Sequence, residues 1–100
     1  MAAKRTARWG PFEWDADKES INIVRHGIDF RTAAKVFDDP DRLIITDEKH
    51  SFDEGRWYCI GLCGAIVITV RFTYRAHRLR IIGAGSWRKE RRLYEKAKMG

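Results

Sequence analysis

The alternating pattern of residues 65–82 is the feature that most constrains the fold. In residues 65–74 every second position is apolar, and this set comprises Ile66, Ile68, Val70, Phe72 and Tyr74. The positions between them carry mainly threonine and arginine, and the pattern resumes after a short connection at 75–77. Because side chains alternate across a strand, the pattern predicts a β-hairpin with one apolar face and one arginine-bearing face.

The N-terminal part of the chain shows helical signals instead. Residues 12–14 suit a short strand, and residues 15–26 suit a helix that begins at Asp15 or Asp17 and ends at Gly27. In this helix we expect two apolar residues to face the core, Ile21 and Val24. A second helix is predicted over 29–37, with Asp29 as its cap and one apolar stripe formed by Phe30, Ala33, Ala34 and Phe37.

A period of two returns after this second helix and predicts four strands, at 42–46, 56–62, 65–74 and 78–84. Their short connections favour a sequential antiparallel meander, and helical spacing returns from residue 87. The predicted fold is therefore α+β: a short N-terminal strand, two helices, a four-stranded antiparallel meander sheet and a C-terminal helix. Residues 1–11 are predicted to be a basic, flexible tail, and residues 12–98 a single domain.

The charge is distributed unevenly along the chain. The net charge is +6, but residues 71–100 alone hold ten basic and two acidic residues, whereas seven carboxylates lie between Asp38 and Glu54. This asymmetry favours a polyanionic partner, most simply nucleic acid, over a surface that only confers solubility. The sequence has no apolar run of membrane-spanning length and no secretory signal, so we expect a cytoplasmic protein with no membrane partner.

The arginines of the predicted hairpin are candidates for an anion-binding site. If the two strands pair, four guanidinium groups share one face, those of Arg71, Arg75, Arg78 and Arg80. Guanidinium groups match phosphate oxygens and can stabilise the charge that develops when a phosphodiester is cleaved. The alternative is that these arginines form ion pairs with the acidic segment 38–54.

Few residues are suited to general acid–base catalysis. His26, His50 and His77 are the only histidines, and His26 precedes Gly27, where it could simply stabilise a helix C-terminus. Lys18 is expected one turn into the first helix. The two cysteines lack the paired spacing of a zinc site, and no P-loop or carboxylate metal cluster is visible, so no metal and no cofactor is expected. RNA cleavage needs neither, because the ribose 2′-hydroxyl can attack the adjacent phosphate.

Three ordered motifs run through residues 12–95. The first comprises Phe12, Glu13, Trp14, Asp15, Lys18, Asn22, His26, Gly27 and Phe37 to Pro40. The second comprises His50, Glu54, Arg56, Ile60 and Gly61, and the third Thr73, Arg75, Arg78, Arg80, Ile81 and Ile82. In this order they resemble the BrnT family of toxins from prokaryotic type II toxin–antitoxin pairs.

The resemblance implies a RelE-like fold and a metal-independent ribonuclease that cleaves mRNA and inhibits translation. It also implies an antitoxin with a ribbon-helix-helix DNA-binding domain, through which alone the toxin would reach operator DNA. The candidate catalytic residues are Arg75, Arg78, Arg80, His26 and Lys18. The candidate RNA-binding residues are Arg71, Arg88, Trp14 and His50.

The chain departs from the family pattern after Ile82. Many members continue with Ser-Ala-Arg, whereas this chain has Gly83, Ala84, Gly85 and Ser86. Gly85 thus stands where a guanidinium is often found, and Arg88 is a possible replacement. Two alternatives to an active toxin follow: a catalytically degenerate nucleic-acid-binding module, and a protein-interaction module on the same fold.

Overall fold

The computed structural model describes residues 5–51 and 54–100, which form three α-helices and one mixed six-stranded sheet. The strands are β1 (Thr6–Trp9), β2 (Phe12–Asp15), β3 (Leu43–Thr46), β4 (Arg56–Cys63), β5 (Ile66–Arg75) and β6 (Arg78–Gly85). The helices are α1 (Ala16–His26), α2 (Phe30–Ala33) and α3 (Arg88–Met99), with 3-10 turns at Ala34–Asp38 and Glu48–His50. None of the helices described is long and apolar enough to cross a membrane.

The α+β class is confirmed, and the four predicted strands pair sequentially and antiparallel, but the sheet as a whole has six strands and is mixed rather than four-stranded and antiparallel. The strand order is β1-β2-β6-β5-β4-β3, and β2 lies parallel to β6 while the other neighbours are antiparallel. The long connection between β2 and β6 permits this parallel pairing, which local periodicity does not reveal. Residues 6–9, predicted within a flexible tail, form β1 and pair with β2 from Thr6–Asp15 to Trp9–Phe12.

Helix α1 begins and ends as predicted. The Asp15 carboxylate accepts hydrogen bonds from the backbone N–H groups of Asp17 and Lys18, and Gly27 adopts the left-handed conformation, with φ 68°, that ends the helix. The Gly27 N–H also donates a hydrogen bond to the carbonyl of Ile23 at 2.8 Å. The hydrogen bonds at both ends thus satisfy backbone groups that a helix terminus leaves without partners.

The predicted inward face of α1 was wrong. Ile21 and Val24 are exposed, whereas the buried residue of α1 is Asn22. The pairing of β2 with β6 ends at Ile81, and α1 then lies beside the rest of β6. At this edge Asn22 accepts a hydrogen bond from the N–H of Ala84 at 3.1 Å and donates one to the carbonyl of Ile28 at 2.9 Å. A polar side chain is needed here because an unpaired sheet edge leaves backbone groups unsatisfied.

The second predicted helix forms as one α-turn followed by a 3-10 helix. Asp29 caps it, accepting hydrogen bonds from the N–H and hydroxyl of Thr32. The predicted apolar stripe is confirmed: Phe30, Ala33 and Ala34 are buried, and Phe37 packs against the core. This segment covers one face of the sheet, whose contribution to the core includes Trp14, Cys59, Ile68, Val70, Phe72, Ile81 and Ala84.

Helix α3 packs on the opposite face of the sheet, against β4 and β5. Beneath it lie Ile60 and Thr69, which pair across β4 and β5 and are buried. The buried Tyr94 of α3 donates a hydrogen bond to Asp39, which also accepts one from the N–H of Leu62 at 2.8 Å. These contacts fix α3 at one end of this face, while Arg71 and Arg75 are exposed further along β5.

Candidate functional site

Four arginines project from the same face of the sheet, on which α3 covers only one end. The cross-strand pairs Thr73–Arg80 and Arg75–Arg78 place these side chains together, with Arg71 two residues before Thr73 on β5. We call this surface, formed by Arg71, Arg75, Arg78, Arg80 and their neighbours Arg56 and Tyr58 on β4, the basic face. The predicted clustering of arginines on one face is therefore confirmed.

Carboxylates partly neutralise three of these arginines. Arg80 donates a hydrogen bond to the buried Glu13 at 2.6 Å, and the Nε of Arg78 lies 3.4 Å from the same carboxylate. Arg78 also donates to the backbone carbonyls of Gly10 and Phe12. These two side chains therefore connect β6 with β2 in addition to contributing positive charge.

Arg75 pairs with Glu54 at 2.7 Å. The hydrogen bond from Arg75 holds the pKa of the Glu54 carboxyl below its usual value. Among the described residues of the acidic segment 38–54, the alternative of ion pairs thus holds for Arg75, whereas Arg78 and Arg80 pair with Glu13.

Arg71 differs from the other three. Within residues 5–51 and 54–100, no carboxylate lies within ion-pair distance of Arg71, and its side chain is exposed. Its guanidinium lies over Gly83, where an added Cβ would come within 2.7 Å of Nη2. An unpaired guanidinium held against the backbone is available to a phosphate at little conformational cost.

Two clefts meet at Arg71. The first has a volume of about 270 Å³ and is lined by Lys18, Ile21, Asn22, Arg25, His26, Arg71 and Ile82. The second has a volume of about 310 Å³ and is lined by Tyr58, Thr69, Arg71, Trp87, Lys89 and Glu90. The structure therefore brings Lys18 and His26 together with Arg71, rather than with the three arginines nearer the β5–β6 turn.

His26 is also linked to the second cleft. Its ring lies 5.3 Å from the Trp87 ring, with an edge-to-face angle of 70°. It occupies the last turn of α1 and lines the first cleft, so the capping interpretation and a functional role are compatible.

His50 occupies a different environment. Its Nδ1 lies 2.8 Å from a carboxylate oxygen of the buried Asp47, which orients the ring. Burial and the neighbouring Asp47, which also hydrogen-bonds Tyr58, raise the pKa of the Tyr58 hydroxyl. Asp47 therefore connects His50 with Tyr58, a residue of the second cleft.

The two remaining candidates, Arg88 and Trp14, differ in their exposure. Arg88 is exposed at the start of α3, next to Trp87. Trp14 is buried against Phe30, and its Nε1 donates a hydrogen bond to Glu19 at 3.1 Å. This placement leaves the Trp14 indole no accessible face, so it does not support the expected contact with RNA.

Sequence reasoning missed Tyr58, Trp87, Arg25 and Lys89 as cleft residues. The alternation of β4 could have identified Tyr58, because this residue pairs with Arg71 across the strands. Trp87 could be found only from the three-dimensional fit of its ring over Gly85. Among the residues described, no group of three or more His, Cys, Asp or Glu side chains is placed to hold a metal ion.

The site therefore defines a class of protein: an α+β domain whose exposed cationic side chains around two clefts suit a phosphodiester polyanion. Residues 14–90 match the family model described as the ribonuclease toxin BrnT of type II toxin–antitoxin systems. The chain therefore belongs to the BrnT family of ribonuclease toxins, for which RNA is the implied substrate and an antitoxin the implied partner. No curated protein matches the chain.

Proposed function

We propose that this protein is a metal-independent endoribonuclease that cleaves mRNA and so inhibits translation, and that Arg71 lies at the centre of its active site. The observation that carries the proposal is the exposed Arg71 guanidinium between two clefts, one of which also contains Lys18 and His26. Membership of the ribonuclease toxin family supports the reaction type. The RelE-like relationship of the fold stays a prediction.

The proposed chemistry is attack of a ribose 2′-hydroxyl on the adjacent phosphate. Arg71 would bind the phosphate and stabilise the additional negative charge of the transition state. One of His26 and Lys18 would accept the proton of the 2′-hydroxyl, and the other would donate a proton to the 5′-oxygen as its bond to phosphorus breaks, because both line the same cleft as Arg71. A metal is not required in this scheme, since the cationic side chains supply the charge stabilisation.

The other arginines have a supporting role in this proposal. Arg75, Arg78 and Arg80 extend the basic face away from the clefts, and each retains donor groups beyond those engaged by Glu54 and Glu13. They would hold phosphates adjacent to the cleaved bond and strengthen the field at that bond. Arg88 and His50 are the proposed RNA contacts on the opposite side of Arg71, towards α3 and Tyr58.

The antitoxin is proposed to carry a ribbon-helix-helix DNA-binding domain. We expect the antitoxin to bind the basic face through an acidic segment. Such a segment would neutralise the toxin, because it would compete with RNA for the same guanidinium groups. Operator DNA would be bound through the antitoxin alone.

The proposal is tested by measuring cleavage of single-stranded RNA by the purified, antitoxin-free protein in the presence of EDTA. We expect Arg71→Ala to lower kcat/KM by roughly 100-fold or more, as for removal of a donor that stabilises a developing oxyanion. Arg91→Ala is the matched control, because Arg91 is an exposed arginine of α3 paired with Glu95 at 3.9 Å. Equal activities of wild type and Arg71→Ala, or intact RNA with wild type, would contradict the proposal.

A nucleic-acid-binding module without catalytic activity is the second candidate. The ion pairs of Arg78 and Arg80 with Glu13 favour this second candidate, because they lower the positive potential available to stabilise a transition state. Binding that weakens steeply with salt, without cleavage products, would indicate this function. Tight protein association without nucleic-acid affinity would instead indicate a protein-interaction module.

A further inference from the structure

Two glycines of β6 leave space that planar side chains occupy. Gly83 pairs with Arg71 and Gly85 pairs with Thr69, so both glycines occupy positions on the face that carries Arg71. The Arg71 guanidinium covers Gly83, and the six-membered ring of the Trp87 indole covers Gly85. Alternate positions on a strand are roughly 7 Å apart, so the two planar groups lie side by side on the same strand.

The Trp87 indole fits over Gly85 because glycine has no Cβ atom. A Cβ at this position would lie 2.6 Å from Cη2, 2.7 Å from Cζ2 and 2.9 Å from Cζ3 of Trp87. These distances are far below van der Waals contact, so even alanine would displace the indole. Gly85 is therefore what allows the Trp87 indole to lie at the wall of the cleft.

The environment of Trp87 differs from that of the other tryptophan that covers a glycine. Trp57 lies over Gly55, but its ring also stacks on Phe72 and contacts Tyr74, which makes it part of an aromatic cluster. Within the described part of the chain, the only aromatic ring against Trp87 is His26. Trp87 is 36% exposed and lines the second cleft next to Arg71, so it forms part of the cleft wall rather than of the hydrophobic core.

We propose that Trp87 is a stacking platform for one nucleobase of single-stranded RNA and thereby places the neighbouring phosphate at Arg71. An indole offers a large planar surface to which any base can stack, and the cleft beside it is open to an extended strand. Trp87 acts on the reaction as a positioning residue. This inference rests on the proposed ribonuclease function for its role in cleavage, but binding of RNA at Trp87 can be measured independently.

The test is the affinity for a single-stranded RNA whose 2′-hydroxyls are methylated, so that it cannot be cleaved. Trp87→Leu should weaken binding by roughly 5- to 150-fold, the range observed when a base loses its stacking partner, while Trp87→Phe should retain most of the affinity. Gly85→Ala should cause a loss similar to that of Trp87→Leu, because the added Cβ displaces the indole. Circular dichroism and thermal unfolding establish that each variant is folded.

The matched control is Trp9→Leu. Trp9 has a similar exposed fraction, 38%, but contacts Phe12 and Arg31 rather than the cleft, so its removal should leave RNA binding unchanged. A single abasic nucleotide, moved along the probe, should weaken wild-type binding at one position and should have no further effect there in Trp87→Leu. This non-additivity identifies the base that stacks on Trp87.

The outcomes separate the two proposals. If Trp87→Leu and Gly85→Ala bind the probe as tightly as the wild type, the stacking site is excluded, even if the wild type cleaves RNA. If both variants lose affinity but the wild type leaves unmodified RNA intact, the stacking site stands and the ribonuclease proposal fails. If the wild type does not bind the probe, the stacking proposal is overturned.

Discussion

Arg80 donates a 2.6 Å hydrogen bond to Glu13, joining two residues that are 67 positions apart in the chain and adjacent in the β2–β6 pair. Arg78 approaches the same carboxylate from the next outward-facing position of β6, so one buried acid holds two arginines. The basic face is therefore both a charged surface and part of the connection between the N-terminal strands and the hairpin. Substitution of Glu13 separates these two contributions.

Glu13→Gln should destabilise the fold and strengthen RNA binding at the same time. The substitution leaves two partly buried guanidinium groups without their anion, which we expect to lower the free energy of unfolding by about 1–3 kcal/mol. It also increases the positive charge of the basic face, so RNA affinity at low salt should rise. Urea unfolding and salt-dependent binding measure the two effects.

The control for this prediction is Glu95→Gln, which removes the exposed pair with Arg91 and should change stability by less than about 0.5 kcal/mol. A Glu13→Gln variant as stable as the wild type would show that Glu13 does not hold β2 to β6 through these arginines.

Asp39 should make stability depend on pH in the acid range. Burial alone would raise its pKa, but hydrogen bonds from Tyr94 and from the N–H groups of Leu62 and Asp41 outweigh burial and hold the pKa below the usual value. A carboxyl with a lowered pKa in the folded state contributes stability above its unfolded pKa of about 3.9, and this contribution is lost as the pH falls through the folded value. Asp39→Asn should therefore show a weaker loss of stability below about pH 4 than the wild type.

Tyr94→Phe tests the same contact from the side of α3. Removing the phenolic hydroxyl leaves one acceptor site of Asp39 without its donor, and we expect a loss of about 1–2 kcal/mol at neutral pH. Thermal unfolding measures the change. An unchanged melting temperature would show that apolar contacts alone fix α3 on the sheet.

The two cysteines should differ strongly in reactivity. Burial raises the pKa of the Cys59 thiol to about 12, so almost none of it is a thiolate at neutral pH, whereas Cys63 is only partly buried. A thiol reagent should therefore modify one equivalent in the native protein and the second only after unfolding. Rapid reaction of both thiols in the native protein would contradict the buried position of Cys59 in the core.

Val24→Lys should be tolerated. The side chain of Val24 is 86% exposed, and a substitution on such a surface changes stability by about 0.5 kcal/mol or less. Phe30→Ala, at a fully buried position, should cost about 3–5 kcal/mol and provides the contrasting control. A large loss in Val24→Lys would restore the inward orientation of α1 that the sequence suggested.

The features that were predictable from the sequence are those set by local chemistry. Asp15 and Asp29 act as helix caps because a carboxylate satisfies nearby N–H groups, and the alternation of β5 separates Phe72 from Arg71 without reference to the rest of the chain. The same alternation placed the four arginines together, since a short turn leaves the hairpin little choice of register.

The features that were not predictable depend on contacts between distant segments. The pairing of β2 with β6 and the ion pairs of Glu13 join residues that are far apart in the chain, so no local pattern encodes them. Asn22 is buried because the edge of β6 needs a hydrogen-bond partner, and polarity alone suggested the opposite. The distinct position of Arg71 was not predictable either, because it depends on the ion pairs in the fold. Among the residues described, Arg75 and Arg80 have carboxylate partners and Arg71 has none.

The most direct measurement of the proposed activity uses an RNA that contains one 2′-deoxynucleotide at a mapped cleavage position. If the 2′-hydroxyl is the nucleophile, the wild-type protein in EDTA should leave that bond intact while cleaving the all-ribose RNA to products that end in a 2′,3′-cyclic phosphate. Arg71→Ala should cleave the all-ribose RNA roughly 100-fold more slowly. Cleavage of the deoxy-substituted bond at an undiminished rate would contradict 2′-hydroxyl attack, and cleavage by Arg71→Ala at the wild-type rate would contradict the central role of Arg71.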